Sequence, residues 1–309
     1  MDVIGYALAR QLTVLPEEWR VMADMPTPRQ GPAVGVVGGI LYAVGGGSSS
    51  APYSTNEAYD PSTNTWSTKA DMPTARGGLG AGVVGGIIYV VGGQHGDIYH
   101  STTNEAYNPS TNTWSTRADM PTGRRHLAVG VIGGLLYAVG GWTKTTNEAY
   151  DPSTNTWSTK ADMPTARTLL PAAAAINNML YVCGGYDGSK DLALNEAYDP
   201  STNTWSTKAD MPTARYSFAV GVIDGTLYAV GGYAGSGRLA LNEAYDPSTN
   251  RWSVRADKPV ARREIAGGVI DGLLYVIGGS TSPTNTNEAY DPKPKILGID
   301  HLLGWLATR

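Results

Sequence analysis

An all-β ring is what this sequence leads one to expect: a six-bladed β-propeller of four-stranded antiparallel blades. The expectation rests on a repeat period, on the strand pattern inside each repeat, and on a complementary mismatch between the two ends of the chain. The segment NEAYDPSTNTWSTKADMPTAR stands unchanged at 56–76, 147–167 and 195–215, and slightly altered at 104–124 and 242–262. Tryptophans at 19, 66, 114, 157, 205 and 252 and Gly-Gly pairs ending at 46, 93, 141, 185, 232 and 279 set a period of about 47 residues, counted six times. Periods of that length with strand patterning inside each unit belong to propellers rather than to helical arrays.

Taken in order, each unit carries four strand signals. AVGVIGGLLYAVGG (128–141) is two apolar runs joined at Gly133-Gly134. Gly-Gly, Asn-Asn or Asp-Gly at that junction tolerates the positive φ of a tight hairpin, so the first two strands form a buried pair. NEAYD then alternates two sets of side chains, and DPSTN supplies the Asp and Pro of a turn before TWSTKA, giving strands three and four. Four such strands cannot bury both faces alone, whereas six sheets packed around an axis can. The chain opens on a fourth strand, PEEWRVMADMP with Trp19, and its last unit stops after a third, NEAYDP ending at Pro292. One blade is therefore expected to combine an N-terminal strand with three C-terminal ones. This divides the chain into an extension over 1–15, the propeller over 16–292 and a tail over 293–309, where Ile296, Ile299, Leu303 and Leu306 follow helical spacing, as Val3, Ile4, Ala7 and Leu8 do near the start.

Composition excludes several function classes. The chain has 309 residues with 23 Lys and Arg against 27 Asp and Glu, a net charge of -4 that leaves no general positive field for a nucleic acid. A single cysteine excludes an internal disulfide framework and leaves the compartment open. MDVIGYALARQL lacks a basic region followed by an apolar core, so no signal peptide is read. The glycine-rich uncharged stretch from Gly77 to Gln94 has 8 Gly among 18 residues and reads as two strands and a turn, so a soluble monomer without a membrane segment is expected.

The Gly-Gly after a Leu/Ile-Tyr strand, the Tyr of YDP and the Trp some residues beyond it resemble the kelch repeat, over roughly 16–292. The resemblance implies a β-propeller of mainly six or seven blades. Members resemble one another in fold while acting as partner-binding modules, galactose-oxidase-type copper enzymes or sialic acid epimerases, so the fold leaves the function open.

Comparison among the six copies separates scaffold from candidate site. Trp66, Tyr59 and their equivalents recur in every blade and are expected between the sheets. Glu57, Glu105, Glu148, Glu196, Glu243 and Glu288 are expected to pair with Arg29, Arg76, Arg124, Arg167, Arg215 and Arg262, because buried charges need partners. The unrepeated residues fall in two loop sets, between strands two and three and just after each MPTAR, which a four-stranded meander brings to one face. That face carries Gln30, Gln94, His95, Asp97, Tyr99, Arg125, His126, Trp142, Tyr186, Asp187, Tyr216, Tyr233, Arg238, Arg263 and Glu264. Trp, Tyr and Arg are the residues that anchor protein interfaces, and loops on a rigid scaffold commonly carry binding. Two further readings attach to the same face. His95, Asp97, His100 and His126 form a candidate zinc set. Glu264, Arg263, Arg125 and His126 are the groups for proton transfer and carboxylate binding if the chain is a sugar enzyme resembling the kelch-type epimerases. Gly80-Ala-Gly82-Val-Val-Gly85 spells a dinucleotide motif but runs into a strand, and Cys183 reads as a small core side chain. The expected function is a cofactor-free module binding a protein or peptide, with a carbohydrate ligand as the alternative.

Overall fold

The computed structural model describes residues 13–15, 17–169, 172–235, 237–280, 284–293 and 295–297, and every regular element among them is a strand. Blade one comprises Ala33–Val37, Ile40–Val44, Asn56–Asp60 and Thr65–Thr68, and blade two Gly80–Val84, Ile87–Val91, Asn104–Asn108 and Thr113–Thr116. Ala128–Ile132, Leu135–Val139, Asn147–Asp151 and Thr156–Lys160 make blade three, and Ala172–Ile176, Met179–Cys183, Asn195–Asp199 and Thr204–Lys208 blade four. Blade five is Ala219–Ile223, Thr226–Val230, Asn242–Asp246 and Arg251–Val254. Each is an antiparallel meander. The predicted hairpin residues turn the first pair, and Asn177-Asn178 in blade four has φ of 50° and 60°, the left-handed conformation that Gly-Gly adopts in blades one to three.

Blade six joins Ala266–Ile270, Leu273–Ile277 and Asn287–Asp291 to Glu18–Val21 from the other end of the chain, with Trp19 opposite Tyr290. The ring is thus closed without a covalent link, as the mismatch between the ends implies. A two-stranded ribbon, Thr13–Leu15 paired with Lys295–Leu297, follows outside it. Ile296, read from spacing as helical, therefore belongs to a strand, because the partner strand satisfies its backbone. The rest of that helical pattern, and the one near the start, lie outside the described residues.

The first strands pack against one another around the axis, and six repeated contacts hold the blades edge to edge. The Tyr of each third strand stacks on the Trp of its own fourth strand and on a Tyr of the preceding blade: Tyr107 lies 5.1 Å from Trp114 and 5.7 Å from Tyr42 between ring centroids. Each Trp indole then donates to the carbonyl of an Ala in the preceding linker, as Trp114 Nε1 does to Ala70 at 2.7 Å. Asn112 Oδ1 accepts from the Ala70 amide and from the Tyr107 hydroxyl, both at 2.8 Å. Asn is needed there because its own backbone is left-handed, φ 54°. In blade six the turn that would supply this Asn does not exist. Glu17 replaces it, accepting from the Ala256 amide at 3.1 Å and the Tyr290 hydroxyl at 2.6 Å, while Arg255 Nη1 lies 3.0 Å from it.

The six Arg–Glu pairs form as expected and are almost wholly buried, for example Arg76 Nη2 to Glu105 at 2.8 Å and Arg124 Nη2 to Glu148 at 2.7 Å. Each arginine also ties down backbone carbonyls at the exit of strand two: Arg124 Nη1 donates to Ala138 and Thr146 at 2.9 Å. In five blades the Thr of MPTAR adds a hydroxyl bond to the carboxylate, such as Thr122 to Glu148 at 2.7 Å. Blade six reads KPVAR: Val260 has no hydroxyl, and Lys258, in the place of the Met, supplies the missing donor to Glu288 at 2.9 Å. One position has compensated for another inside a single chain.

Candidate functional site

The loops after each MPTAR arginine and those after each second strand meet at one end of the ring, as the meander requires. Their backbones pair: Gln30 with Gly47, Gly77 with Gln94, Thr168 with Tyr186, Tyr216 with Tyr233 and Arg263 with Ser280. The next residue along, Gly31, Gly78, His126, Leu169, Ser217 or Glu264, has φ between 54° and 63° in every blade. Four of their amides each donate to the matching residue one blade back: His126 to Gly78 at 2.7 Å, Ser217 to Leu169 at 3.1 Å, Glu264 to Ser217 at 2.8 Å and Gly31 to Glu264 at 2.7 Å. A left-handed residue is required because it turns its amide sideways to the neighbouring blade. Four of the six positions accept the cost of a side chain there, which places His126, Leu169, Ser217 and Glu264 around the mouth of the channel.

Two clusters of unrepeated side chains flank the mouth. Over blades two and three, the Arg125 guanidinium lies 4.2 Å from the Trp142 ring centre and 5.6 Å from that of Tyr99, and it donates to Gln94 Oε1. The His100 ring packs against Trp142 at a tilt, 5.0 Å between ring centres. Trp142 breaks the backbone pairing of the other blades: its φ is 45°, and its amide donates to Thr168 Oγ1 at 3.1 Å. This short loop is what turns the indole outward, 42% exposed, and Tyr99 of the neighbouring blade is 63% exposed. No carboxylate pairs with Arg125 among the described residues. Burial, and after it the Arg125 guanidinium, hold the His126 imidazole down at about 4, so it is neutral near pH 7.

Over blades four to six runs a ladder of rings, Tyr186 to Tyr216 at 6.0 Å and Tyr216 to Tyr233 at 5.5 Å, ending on Arg263 4.8 Å above Tyr233. Arg263 Nε lies 3.5 Å from Glu264 and donates to Ser280 Oγ at 3.2 Å. Arg238, exposed on the small hairpin with Tyr233, donates to the Ser280 carbonyl at 2.6 Å. Asp187 is occupied within its own loop, accepting from the amides of Ser189 and Lys190.

Between the clusters the mouth encloses about 410 Å³, lined among others by Gln30, Gln94, His126, Tyr216, Arg263 and Glu264. The expected residues thus separate into the cation–aromatic cluster, the ring ladder and the mouth. His95 and Asp97 lie apart from all three, on the exposed hairpin in which the His95 and Ile98 backbones pair. The candidate zinc set does not assemble: among the described residues no three His, Cys, Asp or Glu side chains come together around a common point, and the ring of His100 is turned to Trp142 instead. Reading by residue type missed Ile98, Ser280 and the Ser48–Pro52 loop that lines the mouth. Ile98 stands as the lone aliphatic residue in QHGDIYH, and that was the available signal. No helix among the described residues is long and apolar enough to cross a membrane.

The KLHDC2/KLHL20/DRC7 Kelch-repeats domain model matches residues 125–294, and the Kelch motif matches 28–73 and 75–121. No curated protein matches the sequence. The solved structure of YjhT is similar in fold, with a TM-score of 0.74, 17% identity, and coverage of 90% of this chain and 99% of that one.

Proposed function

The chain belongs to the kelch-repeat family, whose propellers serve as interaction modules, and from that premise we propose that it binds a protein or peptide partner through the loop face. Tyr99, Arg125 and Trp142 form one anchor and Tyr186, Tyr216, Tyr233 and Arg263 the other. Gln30, Gln94, His95, Asp97, His126, Asp187, Arg238 and Glu264 supply polar contacts around them. The propeller over 16–292 is the binding unit, and it acts as a monomer without a cofactor. The observation that carries this reading is the pair of exposed rings, Tyr99 and Trp142, against a guanidinium that no carboxylate among the described residues partners. The repeated Tyr rings of this chain are buried, so two large aromatic side chains left in water against an arginine have the composition of an interface hot spot. Affinity capture from a lysate of the native host, comparing the intact protein with Trp142→Ala/Tyr186→Ala/Tyr233→Ala, tests it. Recovery of specific partners is expected to fall at least tenfold, and equal recovery from both would overturn the proposal.

A second reading is supported by the mouth itself. Its volume lies within the range of small-ligand sites, and Arg263, Glu264 and Tyr216 present the ring, cation and carboxylate that suit a sugar. Under that reading Glu264→Gln abolishes binding on a glycan array while Trp142→Ala leaves it intact.

A further inference from the structure

Every arginine of the repeated scaffold has a glutamate, and on the loop face Arg263 leans on Glu264. Arg125 departs from this rule. Trp142 covers a face of its guanidinium, and Gln94 Oε1 accepts from Nη1. Among the described residues Nη2 meets no acceptor, and Nε is shielded from solvent without one. Burial lowers this guanidinium below the ordinary arginine range, and only the Tyr99 hydroxyl acts against it. Lys144, on the loop that carries Trp142, makes no ion pair among the described residues and lies close enough to act on His100. His100 and His126 complete the corner, each with a buried Nδ1 that has no hydrogen-bond partner. A methyl group at Gly78 would fall 2.6 Å from His126 Cδ2, so the imidazole fills the space that a side chain there would need. The acids on the adjoining loops do not neutralise the corner: Asp162 accepts from Thr145 Oγ1 at 3.2 Å, and Asp97 stands on the exposed hairpin without an ion pair among the described residues.

We propose that this corner is the seat of an acidic side chain, an Asp or Glu of the peptide partner, whose carboxylate bonds the free Nη2 edge of Arg125 and offsets the charge of Lys144. The proposal rests on the reading of the loop face as a partner-binding surface and names the charge that one of its anchors requires. Trp142 closes a face of the guanidinium, so its edge is what remains, and a carboxylate is the group that pairs edge-on with that fork. A partly buried cation without a counter-charge is held at a cost, and a ligand that supplies the charge removes it. The imidazoles respond to the same event. Burial first and the Arg125 charge next hold both below the usual histidine range. The charged groups that face them are Arg125 and, for His100, Lys144, while Arg263 and Glu264 line the same mouth as His126. A bound carboxylate offsets Arg125, so both imidazoles rise toward the ordinary value. The filled site then holds more protons than the empty one, and binding tightens as pH falls from about 7 toward about 5.

The probe is N-acetyl-glutamate amide, with N-acetyl-glutamine amide as its neutral match and N-acetyl-glutamine, acidic only at its chain end, as a third arm. Each is titrated into the full chain at constant ionic strength while NMR follows the histidine rings. Saturable binding of the glutamate amide is expected, at least about tenfold tighter than the neutral match and tighter than the chain-end acid. His100 and His126 should titrate at higher pH in its presence, with His95 unmoved. Arg125→Gln, outside the Arg–Glu scaffold and checked for folding by thermal unfolding, should lose at least about tenfold in binding. No preference for the charged side chain, a preference for the chain end, imidazoles that do not respond, or undiminished binding by folded Arg125→Gln would each overturn it. Partner capture that depends on Trp142, Tyr186 and Tyr233 without any carboxylate preference would remove the acidic seat and leave the face reading, and the opposite pattern would remove the face reading alone.

Discussion

Blade six and the other five solve one problem with different residues, and the difference shows which contacts the ring requires. In blades one to five a Thr hydroxyl and an arginine share the buried glutamate, and an Asn from a left-handed turn clamps the neighbouring linker. In blade six Lys258 stands in for the hydroxyl and Glu17 for the Asn. The conserved element across all six is thus the satisfied carboxylate and the clamped Ala, whatever group performs the task. A buried pair of charges adds little net stability by itself, but one left without its partner is severely destabilising, which is why a lost donor had to be replaced.

Breaking the sixth blade altogether tests this comparison most severely. Removal of residues 1–22 strips Glu17, Trp19 and the closing strand together, and a melting temperature lowered by more than about 10 °C, or loss of cooperative unfolding, is expected in calorimetry. An unchanged melting temperature would mean that the ring does not close this way. Next in size is an ordinary blade: Glu148→Gln leaves Arg124 buried without a counter-charge, and chemical denaturation should show a loss of about 3–5 kcal/mol. Because the pair is shielded from solvent, the loss should be nearly the same at low and high salt.

The smallest effect is the most specific. Lys258→Met/Val260→Thr gives blade six the residues of the other five and removes a surplus buried cation, so a gain of about 1–2 kcal/mol is expected near neutral pH. Burial and Arg262 pull Lys258 down to about 8 against the attraction of Glu288. The unfolded chain therefore keeps that proton to higher pH than the folded one. Wild-type stability should rise as pH climbs from about 8 toward the ordinary lysine range, and the double variant should lack that rise. Equal pH profiles for the two proteins would contradict the role given to Lys258.

Much of this was legible in the residues. Six copies of one unit let the Trp, the Gly-Gly turn, the Arg–Glu pair and the closing strand be read without coordinates, because whatever recurs in every blade answers to the blade. The two loop sets could be placed on one face by counting strands. What could not be read was how the unrepeated residues face one another. His100 turned to Trp142 and away from a metal cluster, and Arg125 lay between two rings, because the short 142–146 loop broke the backbone pairing that the other loops keep.

The chain alone therefore determined the architecture, since its determinants are local periods and pairings repeated until only a ring accommodates them. Tertiary structure alone decided the site. The mouth and the two clusters that flank it are built from one or two residues of each blade, about 47 positions apart in sequence, and they have no chemistry in common until the closed ring sets them side by side.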